Sequence, residues 1–90
     1  MAQDQLTIDK ATVFDNVNDR RVEFAGEVDG VVQAFAVQYD VLEAIAAEVP
    51  DDRAVALFHQ NIDRIAAAGT AALARDQDQD LVVISENDLV

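Results

Sequence analysis

The sequence predicts a two-layer α+β domain, a mainly antiparallel sheet in β-β-β-α-α-β order with two helices on one face. Three observations predict it. Asp29-Gly30 separates two β-rich runs, residues 40–75 carry apolar residues at helical spacing interrupted by Pro50, and Leu81-Val82-Val83-Ile84 is an unbroken apolar run of strand length. Runs of strands followed by helices specify segregated layers rather than a wound parallel sheet.

Residues 1–11 are polar, with a single alternation at Leu6-Thr7-Ile8, and read as a flexible or weakly ordered arm or a weak edge strand. The domain proper is expected over 12–90. Thr12-Val13-Phe14 opens a short strand, the turn-rich stretch at residues 15–19 follows, and firm order is expected from Arg20.

The hairpin is the strongest local signal. Both residues of an Asp-Gly pair accept the positive φ of a two-residue turn, and such a turn fixes the register. Val28 then faces Val31, Phe24 faces Phe35 and Val22 faces Val37, all on one greasy face. The opposite face carries Arg21, Glu23, Ala25 and Glu27 against Val32, Ala34, Ala36 and Gln38.

Residues 40–49 read as a helix with Val41, Leu42, Ile45, Ala46 and Val49 on one side, ended by Pro50. Asp51 and Asp52 offer a cap and first-turn carboxylates for a second helix. Its stripe is Val55, Phe58, Ile62, Ile65, Gly69 and Ala72. Gly69-Thr70 is its weakest point and allows close approach to the sheet. Polar residues 76–80 lead to the last strand, whose apolar run suits burial on both sides or a sheet centre more than an exposed edge. The final five residues are expected to be loose.

These elements resemble domain-of-unknown-function family 1488, which includes the YrdB-like small bacterial proteins. The residues that carry the resemblance are Phe14-Asp15, Arg20 or Arg21 before Val22-Glu23-Phe24, the Val28-Asp29-Gly30 turn, Val37 through Leu42, then Phe58, Asn61, Arg64 and Ile65, and the closing strand from Leu81 to Leu89. It spans about residues 12–89, with Phe14 where the family tends to have Trp and Gln38 where a Ser would cap the first helix. It implies a compact α+β fold and brings no catalytic residue or cofactor with it.

Composition narrows the function classes. The chain has 90 residues and no Cys, so disulfides, thiolate nucleophiles and zinc-thiolate sites are excluded. Six basic residues against 18 acidic ones give −12, and the bases form no stripe. Direct nucleic-acid binding and attraction to anionic membranes are therefore disfavoured. No run reaches the roughly 18 apolar residues that cross a bilayer, and a soluble bacterial cytoplasmic protein is the default reading. One alternative use of the acidity is mimicry of nucleic acid toward a basic protein.

Candidate chemistry is sparse. His59, the single histidine, lies four residues before Asp63, with Arg64 beside it, and this cluster is the nearest to an acid-base or ligand site. A histidine on the flank of an apolar stripe is ordinarily a boundary residue, and a site needs further groups around it. Asp76, Asp78 and Asp80 imitate the start of a calcium loop, but Leu81 stands where Gly is needed and Asn87 where the bidentate Glu belongs. Adventitious cation binding by Asp76, Asp78, Asp80, Glu86 and Asp88 is the most such a segment offers. Ser85, the single serine, has no evident activating partner. The Ala-rich outer side of the second helix (Ala56, Ala67, Ala71, Ala74) reads as ordinary exposed helix, and Phe24 with Phe35 as core. No catalytic, cofactor or metal residue is assigned. The expectation is a non-enzymatic accessory or protein-interaction module, monomeric or weakly self-associating, with a small enzyme or ligand-binding protein built on His59, Asp63 and Arg64 as the alternative.

Overall fold

The structure, a computed structural model, describes residues 6–28, 30–75 and 79–88, the side chain of Asp51 excepted. Strands β1 (Thr7–Asn16), β2 (Arg21–Val28) and β3 (Val31–Gln38) are followed by helices α1 (Tyr39–Ala46), α2 (Ala54–Gln60) and α3 (Ile62–Arg75), then strand β4 (Leu81–Ile84). Short 3-10 turns occupy Asp51–Arg53 and Glu86–Asp88. The fold is α+β with a mostly antiparallel sheet, as the sequence predicts, but with three helices. The sheet order is β1-β2-β3-β4. The last pair, β3 with β4, is parallel because the intervening helices carry the chain back across the sheet.

The hairpin has the expected register: Val28 pairs Val31, Phe24 pairs Phe35 and Val22 pairs Val37. Gly30 takes φ 82, the conformation that favours glycine, while Asp29 lies outside the described residues. The Phe24 and Phe35 rings stack at 5.3 Å, and Phe58 meets Phe24 edge-on at 4.9 Å. Phe24 and Phe35 are therefore core, and Leu42, Leu57, Phe58, Ile65, Val82 and Ile84 close it from α1, α2, α3 and β4.

Several expectations need correction. Of residues 1–11, read as an arm or a weak edge strand, 1–5 lie outside the described residues and the rest take the strand alternative: β1 begins at Thr7 at the sheet edge, and Leu6 is buried against the core. Its backbone N–H donates to Thr70 Oγ1 at 3.0 Å. Firm order thus starts well before Arg20. A wide bulge interrupts β1, because Asp9 pairs Ala25 while Phe14 pairs Glu23. Thr12 bridges the gap by accepting the Ala25 N–H at 2.8 Å.

The first helix ends at Ala46, three residues before Val49. Ala47 adopts the left-handed conformation (φ 58) and donates to Glu43 O. Val49 therefore leaves the helix face and stands 63% exposed. The second helical stretch breaks at Asn61 rather than at Gly69. The Asn61 side chain donates to Leu57 O at 3.0 Å, sharing that carbonyl with the Asn61 N–H, which also reaches Phe58 O. Gly69 instead sits inside α3, where the Leu6 side chain comes close.

The last strand is an edge strand of the described sheet, not a central one. Its apolar run follows from alternation between two apolar surroundings. Val82 and Ile84 are buried under the helices, and Leu81 and Val83 lie half-buried beside Ala34 and Ala36. Of the final five residues, expected to be loose, Leu89 and Val90 lie outside the described residues, while Glu86–Asp88 form a 3-10 turn in which Asp88 is buried, accepts the Ser85 N–H at 2.9 Å and pairs with Arg75 at 2.6 Å.

Candidate functional site

The three sequence-predicted candidates separate. His59 is exposed near the end of α2, with its ring edge-on to Phe58 at 5.8 Å. The break at Asn61 puts Asp63 and Arg64 on a different helix, so the four-residue spacing no longer stacks His59 over Asp63. Arg64 turns to α1 and donates to Ile45 O at 3.2 Å, satisfying a carbonyl at the helix C-terminus. Asp63 lines a shallow depression of about 270 Å³ with Leu6, Ile8 and Lys10, and neither His59 nor Arg64 belongs to it. Among the described residues no hydrogen bond or ion pair joins the three.

The carboxylates at the C-terminal end of the chain divide as well. Asp76 and Asp78 lie outside the described residues, Asp80 is exposed, and Asp88 is held by Ser85 and Arg75. Ser85 is thus a capping residue: its N–H and hydroxyl both approach Asp88 Oδ2. Among the described residues no group of three His, Asp or Glu side chains is gathered closely enough to hold a metal ion. No helix among them is long and apolar enough to cross a membrane.

A larger concave feature than the depression at Asp63 lies elsewhere. A cleft of about 770 Å³ opens between the turn joining β1 to β2 and the end of α1, lined by Asp15, Val17, Arg20, Tyr39, Asp40, Glu43, Val49, Pro50 and Asp52. Two of its apolar residues are unusually exposed for their size, Val17 at 65% and Val49 at 63%. A second depression of about 620 Å³ continues it along α1, sharing Asp40, Glu43 and Val49 and adding Glu48 and Glu86.

The cleft walls are tied together by hydrogen bonds. The turn closes through Arg20 N–H to Val17 O at 3.2 Å, with Arg20 in the left-handed region at φ 56. Arg20 O then accepts the Tyr39 N–H at 3.0 Å. That bond satisfies a first-turn donor of α1, which Gln38 leaves without a side-chain cap. The Tyr39 hydroxyl donates to Asp15 Oδ1, a second link between α1 and the end of β1. Across the cleft, Arg53 and Glu48 pair at 2.6 Å and span the loop that presents Val49.

These contacts set the chemistry. The neighbouring Asp15 carboxylate and burial push the Tyr39 hydroxyl up to about 12. At neutral pH the phenol is a proton donor fixed to Asp15, neither a nucleophile nor a base. At the other side of β1, hydrogen bonds from Asn16 and Arg21 hold Glu23 below its usual carboxylate range. Among the described lining residues Arg20 is the one cation, against Asp15, Asp40, Glu43 and Asp52.

Sequence reasoning missed Val17, Arg20, Tyr39 and Val49 as a group. The signals available were a single Tyr at the start of a helix and a Val-Pro step after its end. Neither shows the contact between residues 24 positions apart that assembles the cleft.

Comparison with solved structures finds a chain of the same fold. The crystal structure of a protein of unknown function from the DUF1488 family, from Shewanella loihica PV-4, superposes with a TM-score of 0.66 at 20% sequence identity. The match covers 93% of this chain and 96% of that one. The chain is therefore DUF1488-like in fold, in agreement with the resemblance its sequence carries. No family model matches the sequence. No curated protein matches it either.

Proposed function

We propose that this chain is a small, non-enzymatic interaction module that docks a partner protein in the cleft between the β1–β2 turn and α1. The observation that carries this reading is the pair Val17 and Val49, both exposed and facing one concavity whose walls are hydrogen-bonded into place. A preorganised wall lowers the ordering cost of association, and exposed apolar side chains in a concave setting supply the area to be buried. The alternative built on His59, Asp63 and Arg64 finds no support in their placement, with His59 on α2, Asp63 and Arg64 on α3, and Arg64 turned to Ile45 O. A bacterial cytoplasmic setting accords with the Cys-free, acidic composition.

The test is site-specific photo-crosslinking in cells. A benzophenone side chain in place of Val49 should give a discrete adduct of one mass, and the same group in place of exposed Ala71 on α3 should not. Adducts of equal yield at both positions, or at neither, contradict the reading.

A further inference from the structure

Resting on that docking reading, we infer that the occupant of the cleft is a basic segment of a partner protein, one that brings an apolar side chain flanked by Lys or Arg. The apolar requirement comes from Val17 and Val49, exposed side chains that bring no polar group of their own to the cleft wall. The basic requirement comes from the rim. Among the described lining residues Asp15, Asp40, Glu43 and Asp52 oppose Arg20 alone, and Glu86 extends the same sign along the adjoining depression, where Glu48 is paired with Arg53.

The spacing of these carboxylates favours several separate cationic groups over one ion. Among the described residues, none of them forms a group of three close enough to chelate a metal. A flexible segment with Lys or Arg on either side of its anchor can place one cation at each carboxylate, which a single ion cannot. Among the described residues Asp15 is the only one of the four that engages another side chain; Asp40 accepts the Val41 N–H at 2.9 Å, and Glu43 and Asp52 are exposed.

Other occupants fit poorly. A second copy of the chain, docked through the same cleft, would set four carboxylates against four on molecules that each carry −12. A nucleic acid or an anionic lipid surface would meet the same sign. Electrostatic complementarity of this kind chiefly raises the association rate and selects partners, and its mark is strong dependence on salt.

The experiment uses a fluorescein-labelled octapeptide with two central leucines, each flanked by lysine and arginine, and glycine at both ends. One control replaces the leucines with serine and another replaces every basic residue with glutamine. Fluorescence anisotropy gives the affinities, and amide shifts of the nitrogen-15 protein locate the contact. The parent peptide should shift Val17, Arg20, Tyr39 and Val49, and both controls should bind about tenfold more weakly or worse. The double variant Glu43→Lys/Asp52→Lys should lose about tenfold, whereas the charge-matched Glu27→Lys/Asp63→Lys should lose less than about twofold. Equal loss in the two double variants would overturn the inference, because net charge alone would then explain binding. A glutamine control that binds as tightly at the same amides would overturn the basic requirement and leave the docking reading standing. A discrete crosslink at position 49 without peptide binding would do the same. Neither a crosslink nor shifts at these amides would overturn both.

Discussion

The Tyr39 hydroxyl donates to the Asp15 carboxylate and so binds the first turn of α1 to the end of β1. A neutral phenol is favoured there over a phenolate beside a carboxylate, which is why its pKa rises to about 12 from the usual 10.0. The folded value exceeds the unfolded one, so this bond contributes its full stability below about pH 10. That contribution is lost as pH rises through about 12. Tyr39 is the single tyrosine and the chain has no Trp, so near-ultraviolet absorbance reads it directly. The native midpoint should lie near 12 and fall toward about 10 in urea or in Asp15→Ala. A native midpoint near 10 would mean that the link does not form.

Leu6 fills a socket floored by two glycines. A Cβ at position 26 would overlap Leu6 Cδ1 and lie 2.8 Å from its Cγ, and one at position 69 would lie 2.8 Å from Cδ2. Gly26→Ala should therefore destabilise by about 2 kcal/mol through overpacking. Leu6→Ala should cost about 3 kcal/mol by leaving a cavity. Combined, the two should cost clearly less than their sum, since each relieves the other. Additive losses in urea unfolding would show that Leu6 does not occupy the socket.

Phe58 is fully buried and meets the Phe24 ring edge-on, at the point where α2 closes over β2. Phe58→Ala should lower stability by about 4 kcal/mol. An unchanged melting temperature would remove α2 from the core.

How much of this was legible in the sequence depends on the range of each interaction. The hairpin register was legible because Asp29-Gly30 and the alternation on both arms agree locally. The Phe58, Ile65 and Ala72 stripe was legible because helical period is a local property. Leu6 was not, since one leucine among polar residues gains its meaning only from glycines 20 and 63 positions away. The break at Asn61 was hidden because Gly69 has the poorer propensity, while at Asn61 the side chain shares the Leu57 carbonyl with its own backbone N–H. Edge placement of β4 is a matter of topology, and hydropathy alone does not distinguish it from a central strand whose neighbours are Ala34 and Ala36. The cleft shares the difficulty of Leu6: Tyr39 and Val49 acquire a role only when the Val17–Arg20 turn folds back against α1.

Asp88 anchors the segment after β4. Its side chain is 5% exposed, receives Arg75 at 2.6 Å and the Ser85 N–H at 2.9 Å. Asp88→Asn removes the charge that both donors face and should cost about 2 kcal/mol, whereas Glu86→Gln, on an exposed neighbour, should change stability by less than about 0.5 kcal/mol. Equal effects of the two substitutions in urea unfolding would show that the Arg75 pairing contributes nothing.

The central claim is that partners dock in the cleft beside Tyr39, and the emission of that single tyrosine tests it most directly. Titration with the unlabelled leucine-centred basic peptide, which contains no aromatic residue, should change Tyr39 emission saturably, with a midpoint equal to that from anisotropy. Val49→Ser should shift both midpoints together to weaker binding. Binding by anisotropy with Tyr39 emission unchanged would place the contact elsewhere on the molecule and contradict the account.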